Sequence, residues 1–406
     1  MDGKSRIQWV SQFMPILSQI KADFEKNKPL QGITIGMALH VEPKTAFLVK
    51  VLEAGGAKVA ITGCNPLSTQ DDTVKALNET GSTCYAKYGQ SDEEYYKSIN
   101  KVLDTKPDIV IDDGCDLIFT IHKSRIELLE NIKGGCEETT TGIHRLKSME
   151  RDRMLKFPVM NVNDSDCKHL FDNVYGTGES TLASIMITTN AMISGKNFVV
   201  AGYGKCGFGL ANKAKGLGAN VIVCEVDSVL ALRARMDGFR VMPMIDAVQF
   251  ADFIVTATGM KNIVTRKHFE KIKNKCILSN VGHFNLEINI DDLKTMSNEN
   301  HLDDDISEYT FPDGKKVFVL ARGRLVNLST TKGLGHPMEV MDLSFALQAL
   351  GVKYLVENSG LENKVLDIPK EIDNKIARLK LKSMCVYTDI LTDDQKKYGS
   401  SWDIGT

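Results

Sequence analysis

Four polar groupings in the first half of the chain combine the residue types that move protons. They are Leu39-His40, Asp112-Asp113-Gly114-Cys115-Asp116, Glu137-Glu138-Thr139-Thr140-Thr141-Gly142 and Asn161-Val162-Asn163-Asp164-Ser165. An imidazole and several carboxylates gathered at one edge are what acid–base chemistry requires. Lys168 and Phe171-Asp172-Asn173 follow shortly; on a helix, Lys168 and Asp172 stand at i and i+4 on one face, close enough to pair. Singly, each grouping has a plainer explanation: His40 as a packing residue, the acid-glycine runs as turns, Lys168 and Asp172 as a surface ion pair. Several of them at successive strand ends favour a shared cleft.

A second kind of motif is Gly202-Tyr203-Gly204-Lys205-Cys206-Gly207, set between the apolar run Phe198 to Ala201 and the helical stretch Phe208 to Leu217. At a strand-to-helix turn the first glycine makes the bend, the second admits a pyrophosphate to the backbone and the third packs helix on strand. The helix N-terminus supplies free N–H groups for the anion. Glu225 ends the next strand, where a carboxylate accepts from ribose hydroxyls and repels a 2′-phosphate; no arginine accompanies it, so NAD is favoured over NADP. Thr258-Gly259 and Asn280-Val281-Gly282-His283 each follow a further strand. Beside such a cofactor, a buried lysine held by a carboxylate serves a substrate hydroxyl during hydride transfer.

These motifs need a scaffold, and the chain has length for more than one. Its 406 residues exceed a single core. The 50 basic and 52 acidic residues nearly cancel, so no overall field selects nucleic acid or an anionic membrane. No run approaches the ~18 apolar residues of a membrane span. Met1 to Lys21 reads instead as an amphipathic helix broken or kinked at Pro15. Nine scattered cysteines without a C-x-x-C pair argue against a disulfide framework or thiolate metal site and fit a reducing cytoplasm; no metal is expected.

From Gly32 to about Val162, strands are predicted at Ile33 to Met37, Lys58 to Thr62, Asp108 to Asp112 and Pro158 to Val162, with helices such as Lys44 to Glu53 between them. A second βα series runs from Asn197 to about Asn327. The alternation predicts an α/β protein of two doubly wound parallel-sheet domains. His301 to Glu308 reads as an acidic surface loop leading into a hairpin at Asp313-Gly314. A helix over Met338 to Leu350 is followed by a lysine-rich, weakly periodic tail, either solvated or an arm that docks on a neighbour.

In this order the motifs resemble the S-adenosylhomocysteine hydrolase family over most of the chain. The resemblance is carried by Asn65 with Ser68-Thr69-Gln70-Asp71, the four polar groupings, Phe171-Asp172-Asn173, the glycine loop, Val281-Gly282-His283-Phe284, Gly323-Arg324-Leu325-Val326-Asn327 and Gly335-His336-Pro337. It implies reversible cleavage of a nucleoside thioether: NAD oxidises the ribose 3′-hydroxyl, the ketone acidifies C4′–H, homocysteine leaves C5′, water adds, and the sugar is reduced again. It also implies roles. Lys168 and Asp172 serve the 3′-hydroxyl proton, with Asn173 in support; Glu138 holds ribose hydroxyls; His40 and Asp116 act in the C4′ and C5′ steps. His283 and His336 close over the substrate, which Glu42, Lys44, Ser68, Thr69 and Gln70 help bind. Thr139, Thr140, Thr141, Gly202, Gly204, Lys205, Cys206, Gly207, Glu225, Thr258, Asn280 and Asn327 hold NAD. The implied domains are residues 1–178 for substrate, an inserted NAD domain over 179–336, a return segment 337–362 and an oligomerisation arm 363–406, assembled as a homotetramer.

The chain departs from the common animal form at several places. Glu42 and Lys44 replace a threonine and a glutamate that help read the adenine edge; an ammonium is a donor only, which suits the 6-oxo group of hypoxanthine and makes the S-inosyl thioether an expected substrate as well as, or in preference to, the S-adenosyl one. Thr177-Gly178 replaces cysteine-arginine. The loop from Asn327 to His336 is two residues longer, and the sequence stops at Asp403-Ile404-Gly405-Thr406 without a longer tail that reaches a neighbour's NAD, which predicts weaker cofactor retention. Two rivals stay open from residues alone: a dehydrogenase with net turnover, and a non-catalytic NAD-binding regulator.

Overall fold

Apolar, β-branched runs become strands and the amphipathic stretches between them become helices. In this computed structural model, which describes residues 1–403, the strands are β1 (Thr34–Ala38), β2 (Lys58–Thr62), β3 (Thr83–Cys84), β4 (Ile109–Asp112), β5 (Gly134–Glu137) and β6 (Val159–Asn161). They continue as β7 (Asn197–Ala201), β8 (Asn220–Cys224), β9 (Arg240–Val241), β10 (Phe253–Thr256), β11 (Cys276–Asn280), β12 (Asn298–His301), β13 (Ile306–Thr310), β14 (Lys316–Leu320) and β15 (Val365–Asp367).

Two sheets result. The first, wholly parallel, has the order β15-β6-β5-β4-β1-β2-β3; the second runs β12-β13-β14-β11-β10-β7-β8-β9, with β12–β13 and β13–β14 antiparallel. Each sheet reverses its winding once, between β1 and β4 and between β7 and β10. Open α/β sheets bind ligands at the carboxyl ends of strands flanking such a switch point. His40 follows β1 and Asp113 follows β4; the glycine loop follows β7 and Thr258 follows β10. Topology thus places both predicted chemistries before any side chain is considered.

Helix Met338–Glu357 runs along the first domain, burying Leu343, Phe345, Leu347 and Leu350 among others in its core. It extends well past Leu350, because its apolar and small residues continue to face the core through Leu355. The N-terminal segment is two helices, Gly3–Gln12 and Pro15–Asn27, the second opening with Pro15 where proline is tolerated. Ile16, Leu17 and Ile20 are buried, whereas Trp9 and Phe13 lie against each other outside with their rings tilted by 53°.

Two sequence expectations are corrected. The acidic stretch predicted as a loop supplies parts of β12 and β13, and its Asp305 carboxylate is buried, accepting from Thr331 N–H at 2.7 Å and Thr331 Oγ1–H at 2.6 Å. The tail is neither solvated nor free at its start: β15 pairs with β6, and helix Lys370–Ser383 packs Ile376 into the first core. Its Asp373 accepts from the N–H groups of Asp166 and Cys167 (2.7 and 2.9 Å), capping the short helix that carries Lys168. Weak periodicity hid this because one turn of strand and one amphipathic helix share the segment. The last part of the expected arm, 404–406, lies outside the described residues. Among the described residues no helix is long and apolar enough to cross a membrane.

Candidate active site

Lys168 and Asp172 are paired at 2.6 Å, both buried, although helix Asp166–His169 ends between them and Asp172–Gly176 forms a wider π-turn. The Lys168 ammonium also donates to Asn173 Oδ1 at 2.8 Å and Asn163 Oδ1 at 3.3 Å, and lies 3.9 Å from Glu138. Burial alone would lower its proton affinity, but Asp172 and Glu138 override it and hold Lys168 above the ordinary lysine range. Asp172 moves the other way: burial favours its acid form, and the His336 and Lys168 charges more than offset that. Glu138 is pushed up to about 7, chiefly by burial.

Across the cavity, His40 Nδ1 meets Ser68 Oγ at 2.6 Å and its Nε2 lies 3.5 Å from Asp113; His283 Nδ1 lies 3.5 Å from the other Asp113 oxygen. Burial pulls both histidines down to about 4, so they stand neutral at pH 7 with a lone pair available. Asp113 is pushed up by burial.

The sequence expectation for Asp116 is therefore corrected to Asp113. Asp116 turns away, paired with Arg145 at 2.6 Å and accepting from the Tyr95 hydroxyl at 3.0 Å. Between the two acids the backbone passes through positive φ at Gly114 (103°) and Cys115 (67°), which no spacing rule could foresee. A side chain at Gly114 would run into His283, so this glycine lets the ring lie on the loop.

Two cavities meet here. One, of about 120 Å³, is lined by His40, Glu42, Lys44, Asp113, Glu138, Lys168, Asp172, Asn327 and His336 among others. The other, of about 360 Å³, runs along Thr140, Thr141, Gly204, Lys205 and Thr258. Thr139, Asn173, Cys206, Val281 and His283 line both and form the wall between them. Ser68, Thr69 and Gln70 line neither; with Arg6, Tyr88 and Thr331 they line a third space, and Gln70 is engaged by Arg6. Ser68 reaches the site only through His40.

The glycine loop fits a dinucleotide. A Cβ at Gly204 would point into open space, leaving backbone free for a phosphate, while one at Gly207 would strike the Gly202 carbonyl. Asn327 Oδ1 is buried without a partner among the described residues, its Nδ2 donating to Ser180, which leaves an acceptor for a ligand N–H. Glu225 directly follows β8, one residue past the strand end expected of it, accepting from the N–H groups of Tyr203, Val226 and Asp227. Asn280 is corrected: its amide ties Gly282, Phe284 and Gly323 together and accepts from Thr256 and Gly282, so it shapes loops and has nothing left for a cofactor. Thr258 lines the larger cavity with its hydroxyl held at 2.6 Å by buried Glu287, which the sequence motifs did not point to. Equally unforeseen are Ser344 and Gln348, one turn apart on helix Met338–Glu357, which donate to the two Glu138 oxygens. Their spacing on a buried helix face was the available signal.

Fold and clefts together define an NAD-binding enzyme whose proton-transfer groups abut the cofactor crevice. Two family descriptions match: S-adenosyl-L-homocysteine hydrolase over residues 2–127, and S-adenosyl-L-homocysteine hydrolase, NAD binding domain, over residues 173–333. Relatives include the S-inosyl-L-homocysteine hydrolases of Methanocaldococcus jannaschii (54% identical, 100% of this chain and 97% of the relative) and Methanothermobacter thermautotrophicus (52%, 100% and 97%). The adenosylhomocysteinase of Thermococcus kodakarensis is 52% identical, covering 100% of this chain and 96% of the relative. The chain belongs to the S-adenosyl-L-homocysteine hydrolase family. Among solved structures, a dipicolinate synthase from Bacillus halodurans aligns with a TM-score of 0.51 at 14% identity, covering 81% of this chain and 100% of that one, and shares its fold.

Proposed function

We propose that this protein reversibly hydrolyses a nucleoside thioether of homocysteine, the S-inosyl compound in preference to the S-adenosyl one. The observation that carries the reaction class is the shared wall: Lys168, Asp172 and Asn173 stand at a cavity whose far side is the glycine-loop crevice. Bound NAD supplies a reversible oxidant for the ribose 3′-carbon. Lys168, kept charged by Asp172 and Glu138, donates to the 3′-oxygen and passes its proton onward rather than keeping it. Once C3′ is a ketone, C4′–H is acidic, and neutral His40 takes that proton, oriented by Ser68 and Asp113. His283, on the other Asp113 oxygen, serves the departing thiolate and the incoming water. Thr139, Thr140, Thr141, Gly204, Lys205, Cys206, Thr258 and Asn327 hold the cofactor.

The purine preference rests on Lys44, buried in the substrate cavity, where it donates to Glu42 Oε2 at 2.6 Å and Leu334 O at 2.8 Å. An ammonium has three N–H groups, so one is left for a 6-oxo acceptor, which a 6-amino group does not offer. The inosyl names of two of the relatives support the same reading. The test is incubation of NAD-loaded protein with inosine or adenosine plus homocysteine, following thioether formation and transient NADH absorbance. Thioether formed at full rate by protein stripped of NAD overturns the mechanism; faster turnover of the adenosyl compound overturns the purine assignment.

Exposed Tyr387, Ile390 and Trp402 in the tail support assembly as a homotetramer, testable by light scattering. Free cysteines throughout the described residues support a reducing, cytoplasmic setting. The division into two sheets supports domain limits near residues 178 and 336, with the substrate domain resuming after residue 336.

A further inference from the structure

The mechanism leaves one proton without a resting place. The 3′-hydroxyl loses it on oxidation and must regain it on reduction. Lys168 has no lone pair while it faces Asp172, Glu138 and two amide oxygens. Asp172 is held as an anion between Lys168 and His336. Glu138 remains, a buried carboxylate in the same cavity, 3.9 Å from the Lys168 ammonium.

Its surroundings are asymmetric in an informative way. Ser344 donates to Oε1 and Gln348 Nε2 to Oε2, the latter at 2.6 Å. Both donors project from one face of helix Met338–Glu357, at i and i+4. Gln348 is fully buried, and its other amide atom, Oε1, has no partner among the described residues. A buried acceptor left empty is costly and calls for an explanation. A primary amide carries a donor and an acceptor on nearly superimposable arms. In one orientation it donates to the carboxylate; turned over, it accepts from the carboxylic acid.

We propose that Gln348 lets Glu138 store the 3′-hydroxyl proton, by anchoring both its charged form through Nε2 and its protonated form through Oε1. The step balances: one Lys168 N–H bond breaks as a Glu138 O–H bond forms, the substrate O–H bond breaks as its proton restores the Lys168 ammonium, and the relay runs backward to return one proton when the sugar is reduced. Gln348 touches no reacting atom and is a positioning residue, as is Ser344. The charged and titratable groups facing Glu138 are Lys168 and Asp172 from the segment after β6, Asp113 after β4 and Cys136 on β5; none of them changes in the variants below. Glu138 ionising at about 7 is consistent with a group that takes and gives a proton at working pH.

The inference rests on the proposed function, and one set of measurements separates the two. Ser344→Ala and Gln348→Leu each remove a donor to the anion, and because a hydrogen bond to the charged form is stronger than one to the acid, the net loss falls on the anion and the Glu138 midpoint should rise. It is read without turnover, from the protonated-carboxyl band in infrared difference spectra of the purified protein titrated with acid, assigned by its loss in Glu138→Gln. The rate of NADH formation on mixing with nucleoside should fall about tenfold or more in Gln348→Leu, while KM changes little, and its pH midpoint should move with the band. Gln348→Glu, which can donate or accept, should recover part of the rate with a midpoint raised by the second carboxyl. Unmoved midpoints in both Ser344→Ala and Gln348→Leu overturn the inference. Wild type that forms no NADH with any nucleoside removes the proposed function, and this inference with it.

Discussion

Asp113 sits between two neutral histidines, and Asp116, three positions on, grips an arginine instead. Asp113→Asn should therefore lower kcat by about a hundredfold or more, the scale of a lost acid–base partner. Asp116→Asn should keep kcat within about tenfold and show its effect in Tm, since Arg145 loses a charged partner worth roughly 1.5–3 kcal/mol. Equal kinetic losses in the two variants would contradict the assignment. A pH experiment follows from His283. In the unfolded chain its ring protonates near its usual ~6.5, in the fold only at about 4, because burial disfavours the cation. The unfolded state takes the proton first, so the stability associated with the neutral ring is complete above ~6.5 and is lost as pH falls toward the folded value. Wild-type Tm should fall relative to that of His283→Asn across this window; parallel curves rule it out. At this scale the sequence revealed residue types but not directions. His40, Lys168 and Asp172 could be named from motif and spacing, whereas choosing among the three carboxylates of Asp112-Asp113-Gly114-Cys115-Asp116 needed two positive-φ residues that only the folded backbone reveals.

Elements were the most legible, because periodicity reports burial directly. β2 was bounded to the residue and the glycine loop fell at its strand-to-helix turn. Legibility failed where an element is short or its partner distant: β15 is three residues long and pairs with a strand some two hundred positions earlier. Within the cofactor turn, Gly207→Ala should abolish NAD retention, because its Cβ meets the Gly202 carbonyl, whereas the Cβ of Gly204→Ala enters open space and should obstruct only the ligand. Absorbance of bound cofactor after gel filtration, with circular dichroism for the fold, distinguishes them: the first variant should lose helix packing as well as NAD, the second NAD alone. In the loop before His336, Asp305→Ala removes two hydrogen bonds to Thr331 and should cost about 1–3 kcal/mol with faster proteolysis near Lys332. Unchanged cleavage there would show that the loop is held by something else.

At the scale of the whole molecule, two doubly wound units were legible from alternation alone, and the placement of both chemistries at sheet switch points explains why residues far apart in sequence converge. Helices Thr177–Thr189 and Lys205–Gly216 approach through glycines: a Cβ on Gly178 would crowd the Gly209 carbonyl, and one on Gly209 would collide with the Val174 carbonyl. Main chain thus rests on main chain where the turn bearing Asp172 and Asn173 meets the helix that begins at the glycine loop. Such a seating has no rotamers to relax, so the spacing between the glycine loop and the turn that carries Asp172 and Asn173 is gauged by main chain alone.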